Sequence, residues 1–266
     1  MDLGLADKTV LITGSYRGTG AGTARVFAGE GAKVLVHGFE TGQGEDLVAE
    51  LSAAGGAAAL VTGDVMTDEG ADAVRAQAEA AFGTVDVLVN NYGAPGRTSW
   101  DTPAAEWNDG WERNVLSAVR MTQQFVPAMR ARGWGRVVFL GTIGTERPGK
   151  RNPDYYGAKA AVPALVRSLA QELRGTGVTA NLVSPGMIAT DEVKAGVVAG
   201  FERATGNTGS SWADAERWAL DTRMPNLTER IPAPEDIGRF VMFVASEAAW
   251  HLQGADLKVD GGAIDA

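Results

Sequence analysis

Short apolar runs rich in β-branched residues recur along the whole chain, and stretches with helical periodicity lie between them. TVLIT (9–13), KVLVHG (33–38), AALVTGDV (58–65), VDVLVNN (85–91), RVVFLGT (136–142), VTANLVSPG (178–186) and ADLKVDGG (255–262) read as strands. Segments 20–31, 43–54, 68–82, 103–130, 154–174 and 234–246 read as helices. Strands that alternate with helices specify an α/β fold, a doubly wound parallel sheet of about seven strands with helices on both faces. The gaps between elements are short, so 1–266 reads as one domain. One segment breaks the rhythm. From about 187 to 233 there are helical patches but no strand, with Phe201, Trp212, Trp218, Leu220, Met224 and Leu227 among acidic and small residues. A long excursion of this kind is either a substrate lid or a pair of surface helices resting on the core.

Composition narrows the function. Net charge is −9, which argues against a nucleic-acid surface. With no cysteine, disulfides, thiolate catalysis and cysteine-bound metal are excluded. The two histidines, His37 and His251, are not spaced as a metal pair and read as non-catalytic. No signal sequence or membrane-length apolar stretch is visible, so a cytoplasmic protein is expected.

The chemistry-bearing residues fall into two groups. TGSYRGTG (13–20) joins the first strand to the first helix. Glycines at 14, 18 and 20 allow a sharp turn and close approach to a pyrophosphate, which the helix N-terminus favours. A plain turn is the other reading of a glycine cluster. Further along, Tyr155 and Lys159 lie four apart on one helix, so their side chains share a face. An ammonium beside a phenol stabilises phenolate and lowers the phenol pKa, which makes an acid–base device. Tyr156 points roughly 100° away and is expected to pack or to meet the substrate.

TGSYRGTG, NNYG (90–93), Asn114, the Tyr155/Lys159 pair and SPG (184–186) stand in the order and spacing of the short-chain dehydrogenases/reductases, and the chain resembles that family over nearly its whole length. The resemblance implies that Tyr155 is the general acid or base, that Lys159 tunes it and binds the nicotinamide ribose, and that Asn114 holds a proton-relay water. It places Gly14, Gly18, Gly20, Asn90, Gly93, Pro185, Gly186 and Thr190 along the cofactor, and Asp64 at the adenine. Two positions depart from the family pattern. Thr142 stands where a serine is usual, thirteen residues before Tyr155, and Tyr92 where alanine is usual. Threonine keeps the hydroxyl but adds a methyl group, so altered substrate shape preference is expected. Pro163 removes a hydrogen bond to the Lys159 carbonyl, and a local kink is expected.

Arg17 matches a position where NADP users carry a basic residue, whereas Gly38, Phe39 and Glu40 close the second strand without the expected arginine. NADP is preferred over NAD on this balance. The implied activity is an NAD(P)-dependent interconversion of a ketone and a secondary alcohol, as a 3-oxoacyl- or cyclic-ketone-type carbonyl reductase. The alternatives are an NAD-dependent alcohol dehydrogenase, or a nucleotide-binding relative with little or no turnover. A small-molecule carbonyl or alcohol substrate, bulky and apolar, and a homotetramer built on the helices near 103–130 and 154–174 complete the expectation; no nucleic acid or membrane partner is expected.

Overall fold

The computed structural model describes residues 3–265. Seven strands form one sheet: β1 (Thr9–Ile12), β2 (Lys33–Gly38), β3 (Ala58–Thr62), β4 (Val87–Asn90), β5 (Gly135–Leu140), β6 (Val178–Pro185) and β7 (Asp256–Val259). Every pairing is parallel, in the order β3-β2-β1-β4-β5-β6-β7. The helices are α1 (Gly18–Gly29), α2 (Glu45–Ala53), α3 (Asp68–Phe82), α4 (Ala104–Trp111), α5 (Ser117–Arg132), α6 (Pro153–Glu172), α7 (Asp191–Thr205), α8 (Trp212–Thr222) and α9 (Pro234–Ala245).

The period of two along each strand distributes its side chains to two cores. Val10, Ile12, Val34, Val36, Val87 and Val89 face a layer that includes Phe27 of α1 and Ile237 and Val241 of α9. Leu11, Leu35 and Leu88, one residue out of phase, face a layer with Met121, Phe125 and Met129 of α5 and Val162 of α6. Both faces are therefore apolar, as a parallel sheet requires. Each of these fully buried side chains contributes about 1.5–3 kcal/mol. Gly22 shows how tightly α1 and α9 meet: a Cβ there would lie 2.4 Å from Pro234 Cβ.

β2 and β3 lie on one side of β1, and β4 to β7 on the other. The chain reverses direction across the sheet between β1 and β4, so the ends of these two strands open a crevice. Everything considered below converges there.

Two expectations need correction. The single helix over 103–130 is interrupted: α4 and α5 are joined by a wide π-type turn, Glu112–Leu116, that contains Asn114. Such turns cluster at functional sites. The aromatic residues of 187–233 do not rest on the main core. Phe201, Trp212 and Trp218 pack with Val197, Ala215 and Ala219 in a small core between α7 and α8. As for Pro163, α6 continues past it to Glu172.

Candidate active site

The glycine turn is built by backbone geometry. Gly14 and Gly18 have φ of +64° and +57°, a region that residues with a Cβ rarely adopt. Arg17 is the extended residue before α1, so the first N–H groups of that helix open toward the crevice. The turn is locked from below by a residue that sequence reasoning set aside. Gly14 N–H donates to His37 Nδ1 at 2.8 Å, and His37 Nε2 lies 2.9 Å from the Gly63 carbonyl. A backbone N–H can only donate, so Nδ1 accepts and the ring proton is on Nε2. His37 N–H also donates to Ser15 Oγ (2.9 Å), and its carbonyl accepts from Tyr16 N–H (3.2 Å). Burial pushes the imidazole down to about 4, against the opposing pull of the Gly63 carbonyl and Asp64. His37 is a neutral clamp on the turn. The only sequence signal for it was its place at the end of β2.

At the other end of the crevice stand Tyr155, Lys159 and Thr142. β5 ends at Leu140, and its carbonyl accepts from Lys159 Nζ at 2.8 Å. Two residues on, Thr142 Oγ1 accepts from Gly144 N–H (3.0 Å) and starts a short turn, Ile143–Thr145. The Thr142 hydroxyl also lies close enough to the Tyr155 phenol to favour its ionised form. Burial sets the protonation of both groups in the free protein. Burial raises Tyr155 to about 12, Thr142 pulls it the other way, and the Tyr156 ring at 5.5 Å adds to the rise. Burial also brings Lys159 down to about 8. The phenol is thus held in its protonated form. Tyr156 packs over Gly144, where a Cβ would lie 2.6 Å from its ring.

Asn114 is buried in the π-type turn. Its Nδ2 donates to the carbonyls of Gly110 (2.9 Å) and Ala94 (3.1 Å), while its Oδ1 has no hydrogen-bond partner among the described residues. Gly93 explains how Asn114 and Lys159 approach each other. A Cβ on Gly93 would lie 2.8 Å from both Asn114 Oδ1 and Lys159 Nζ. A buried acceptor beside a buried ammonium fits the proton-relay position that the family resemblance gives Asn114.

These parts frame one cleft of about 540 Å³, within the range of ligand sites. Gly14, Arg17, Gly18 and Gly20 line one end and Thr142, Tyr155 and Lys159 the other. Gly93, Pro185, Gly186 and Thr190 stand between them, with Met187, Ile188 and Val193 as an apolar wall. Three expected residues lie outside this lining: Asn114, buried in the π-type turn, and Asp64 and Asn90. Asp64 accepts from Met66 N–H (2.9 Å) in a local turn, and Asn90 donates to Thr122 Oγ1 (3.1 Å) beneath the cleft. The neighbouring Asn91 lines the cleft instead and donates to the Thr13 carbonyl at 2.8 Å, tying β4 to β1. Phe201, Trp212, Trp218 and Met224 are also absent from the lining, so the lid aromatics give no argument for a bulky substrate. Among the described residues, no group of three or more His, Asp or Glu is placed to hold a metal, and no helix is long and apolar enough to cross a membrane.

A doubly wound parallel sheet with a glycine turn at its switch point and a tyrosine–lysine helix across the cleft defines a class of nucleotide-dependent oxidoreductases. The comparisons agree. The short chain dehydrogenase profile matches residues 8–197, and the chain belongs to that family. The uncharacterized oxidoreductase YvrD of Bacillus subtilis is 35% identical over 99% of both chains. L-Sorbose reductase from Gluconobacter frateurii, solved with NADPH and L-sorbose, superposes with a TM-score of 0.90 at 31% identity over 100% of both chains. A 7alpha-hydroxysteroid dehydrogenase solved with NADH and 7-oxo glycochenodeoxycholic acid superposes at 0.86, with 29% identity over 100% of this chain and 97% of its own. The chain is thus an oxidoreductase of the family that acts on CH–OH and C=O groups.

Proposed function

We propose that this protein reduces a ketone to a secondary alcohol with NADP(H), as a carbonyl reductase of the 3-oxoacyl or cyclic-ketone type. The observation that carries the reading is the Tyr155 phenol. It shares with Thr142 and Lys159 a cleft whose far end is a glycine turn. The bound nicotinamide supplies the hydride in reduction and takes it up in oxidation. Tyr155 and Thr142 offer two hydroxyl donors to one carbonyl oxygen, and Tyr155 gives up the proton as negative charge develops there. The Lys159 ammonium, one turn along α6, stabilises the phenolate that is left. Asn114 Oδ1, buried beside Lys159, lies on the route by which a proton from solvent returns to the Tyr155 phenolate.

The NADPH and NADH complexes of the two solved relatives support a nicotinamide cofactor, and their ketose and 7-oxo steroid ligands support a ketone substrate. Met187, Ile188 and Val193 present an apolar face to it. α7 and α8 act as a lid hinged at 187–190, because the root of α7 lines the cleft while its aromatic core does not. The protein works in the cytoplasm as a homotetramer assembled through 103–130 and 154–174. Trp111 and Leu165, both partly exposed on those helices, support that surface. Turnover with NADPH and NADH against a panel of aliphatic, cyclic and 3-oxoacyl ketones tests the reading. Nucleotide binding without reduction of any ketone, or oxidation of any alcohol, would overturn it.

A further inference from the structure

One buried carboxylate stands next to Tyr155 in the chain without lining the cleft. Asp154 is 4% exposed and sits in the first turn of α6. That helix starts from Asn152, which has φ of +57° and makes no side-chain cap bond, so Asp154 is the one acid at the positive end of α6. A carboxylate taken out of water is costly unless it is bonded. Here the Thr98 hydroxyl donates to Asp154 Oδ1, and among the described residues Asp154 has no ion-pair partner. Asp154 therefore neither meets a ligand in the cleft nor balances a cation. What it touches is backbone.

Two segments press on Asp154, and each carries one of the carbonyls that hold Asn114. The first is the end of α4. A Cβ on Gly110 would lie 2.4 Å from Asp154 Oδ2 and 3.1 Å from its Cβ, and the Gly110 carbonyl accepts from Asn114 Nδ2 at 2.9 Å. The second is the loop after β4. Thr98 is tied to the start of α6 twice, by its hydroxyl on Asp154 and by its carbonyl, which accepts from Asn152 N–H at 3.0 Å. Within that loop a Cβ on Gly96 would lie 3.2 Å from Asp154 Oδ2. The same loop carries Ala94, whose carbonyl accepts from Asn114 Nδ2 at 3.1 Å. Both bonds that fix the Asn114 amide thus end on backbone that Asp154 packs against or ties down. With Nδ2 used twice, Oδ1 is turned to the place beside Lys159 Nζ, where it has no partner among the described residues.

We infer that Asp154 is a positioning residue for the proton relay: it fixes the two carbonyls that orient Asn114, and so keeps Asn114 Oδ1 beside Lys159 on the path to the Tyr155 phenolate. The inference rests on the proposed roles of Tyr155, Lys159 and Asn114. It also gives a reason for glycine at 110, where any side chain would collide with Asp154. An asparagine at 154 would have the same size and could still accept from Thr98. An alanine would release both segments at once.

The test is steady-state ketone reduction, equilibrium NADPH and NADH binding and thermal unfolding of the full-length protein and of Asp154→Asn, Asp154→Ala and Thr98→Val, each alone and combined with Asn114→Ala. Asp154→Ala is expected to lower kcat roughly tenfold to a hundredfold, as a misplaced relay group would, with ketone KM and nucleotide affinity within about threefold. Asp154→Asn should keep kcat within about threefold. In the Asn114→Ala background Asp154→Ala should cost nothing further in kcat, because the group it positions is gone. Thr98→Val, which removes only the hydroxyl donor, should show the same coupling to Asn114→Ala in weaker form, and it decides alone if Asp154→Ala fails to fold. Losses in kcat that simply multiply, a loss confined to KM, or a lower melting temperature with kcat unchanged would make Asp154 a structural residue. Each would overturn the inference and leave the oxidoreductase reading standing. A wild-type protein that binds nucleotide but turns over no ketone or alcohol would overturn both.

Discussion

Replacing His37 with glutamine tests how the nucleotide turn is held. The imidazole accepts from Gly14 N–H, donates to the Gly63 carbonyl, and is buried with its pKa pushed to about 4 from an ordinary 6.5. Above pH 6.5 neither the folded nor the unfolded chain holds the extra proton, and stability is unaffected. Below it the unfolded chain takes the proton while the folded one refuses it, so stability falls with pH until the folded group titrates near 4. A proton bound at these two values in the two states is worth ~3 kcal/mol. At neutral pH the variant should lose about 1–3 kcal/mol, because glutamine cannot bridge both buried backbone groups. In urea unfolding from about pH 7 to pH 4, the wild-type advantage over the variant should therefore vanish or reverse. Parallel stability curves across that range would refute the neutral-clamp account.

Three further outcomes are expected. Gly22→Ala should destabilise the protein by about 1–3 kcal/mol without changing the cleft, since its Cβ would meet Pro234 at 2.4 Å; a melting curve checks this. Thr142→Ser should keep turnover with a shifted ketone preference, whereas Thr142→Val should cost roughly a hundredfold or more in kcat by removing one donor to the carbonyl oxygen. Lys159 is held at about 8 by burial, so the unfolded chain keeps a proton that the folded one loses between 8 and 10.5. Wild-type stability should rise over that window, and Lys159→Met should remove the rise.

Much of this was legible before any coordinates. The strand runs and the Tyr155/Lys159 spacing are local patterns, and period and spacing survive folding unchanged. What was missed depends on long-range contact. Asn91 matters because the end of β4 lies against Thr13, just past β1 and 78 residues away in the chain. His37 matters because the ends of β1, β2 and β3 meet around it, which no local window shows. The π-type turn at Asn114 reads as ordinary helix in sequence; its extra residue is set by packing among Gly93, Gly110 and Ala94. Phe201 of α7 and the tryptophans of α8 misled for the same reason. An apolar residue announces burial, and only the fold says in which core.

The central claim is that Tyr155 moves the proton in a cleft already built to hold the cofactor and the carbonyl. Tyr155→Phe removes one oxygen and leaves the ring, so it separates chemistry from binding. With a ketone substrate in hand, the account predicts a loss of about a hundredfold to ten-thousandfold in kcat, the usual worth of a positioned general acid, with nicotinamide nucleotide affinity within a few-fold of wild type. Undiminished turnover in Tyr155→Phe would contradict it.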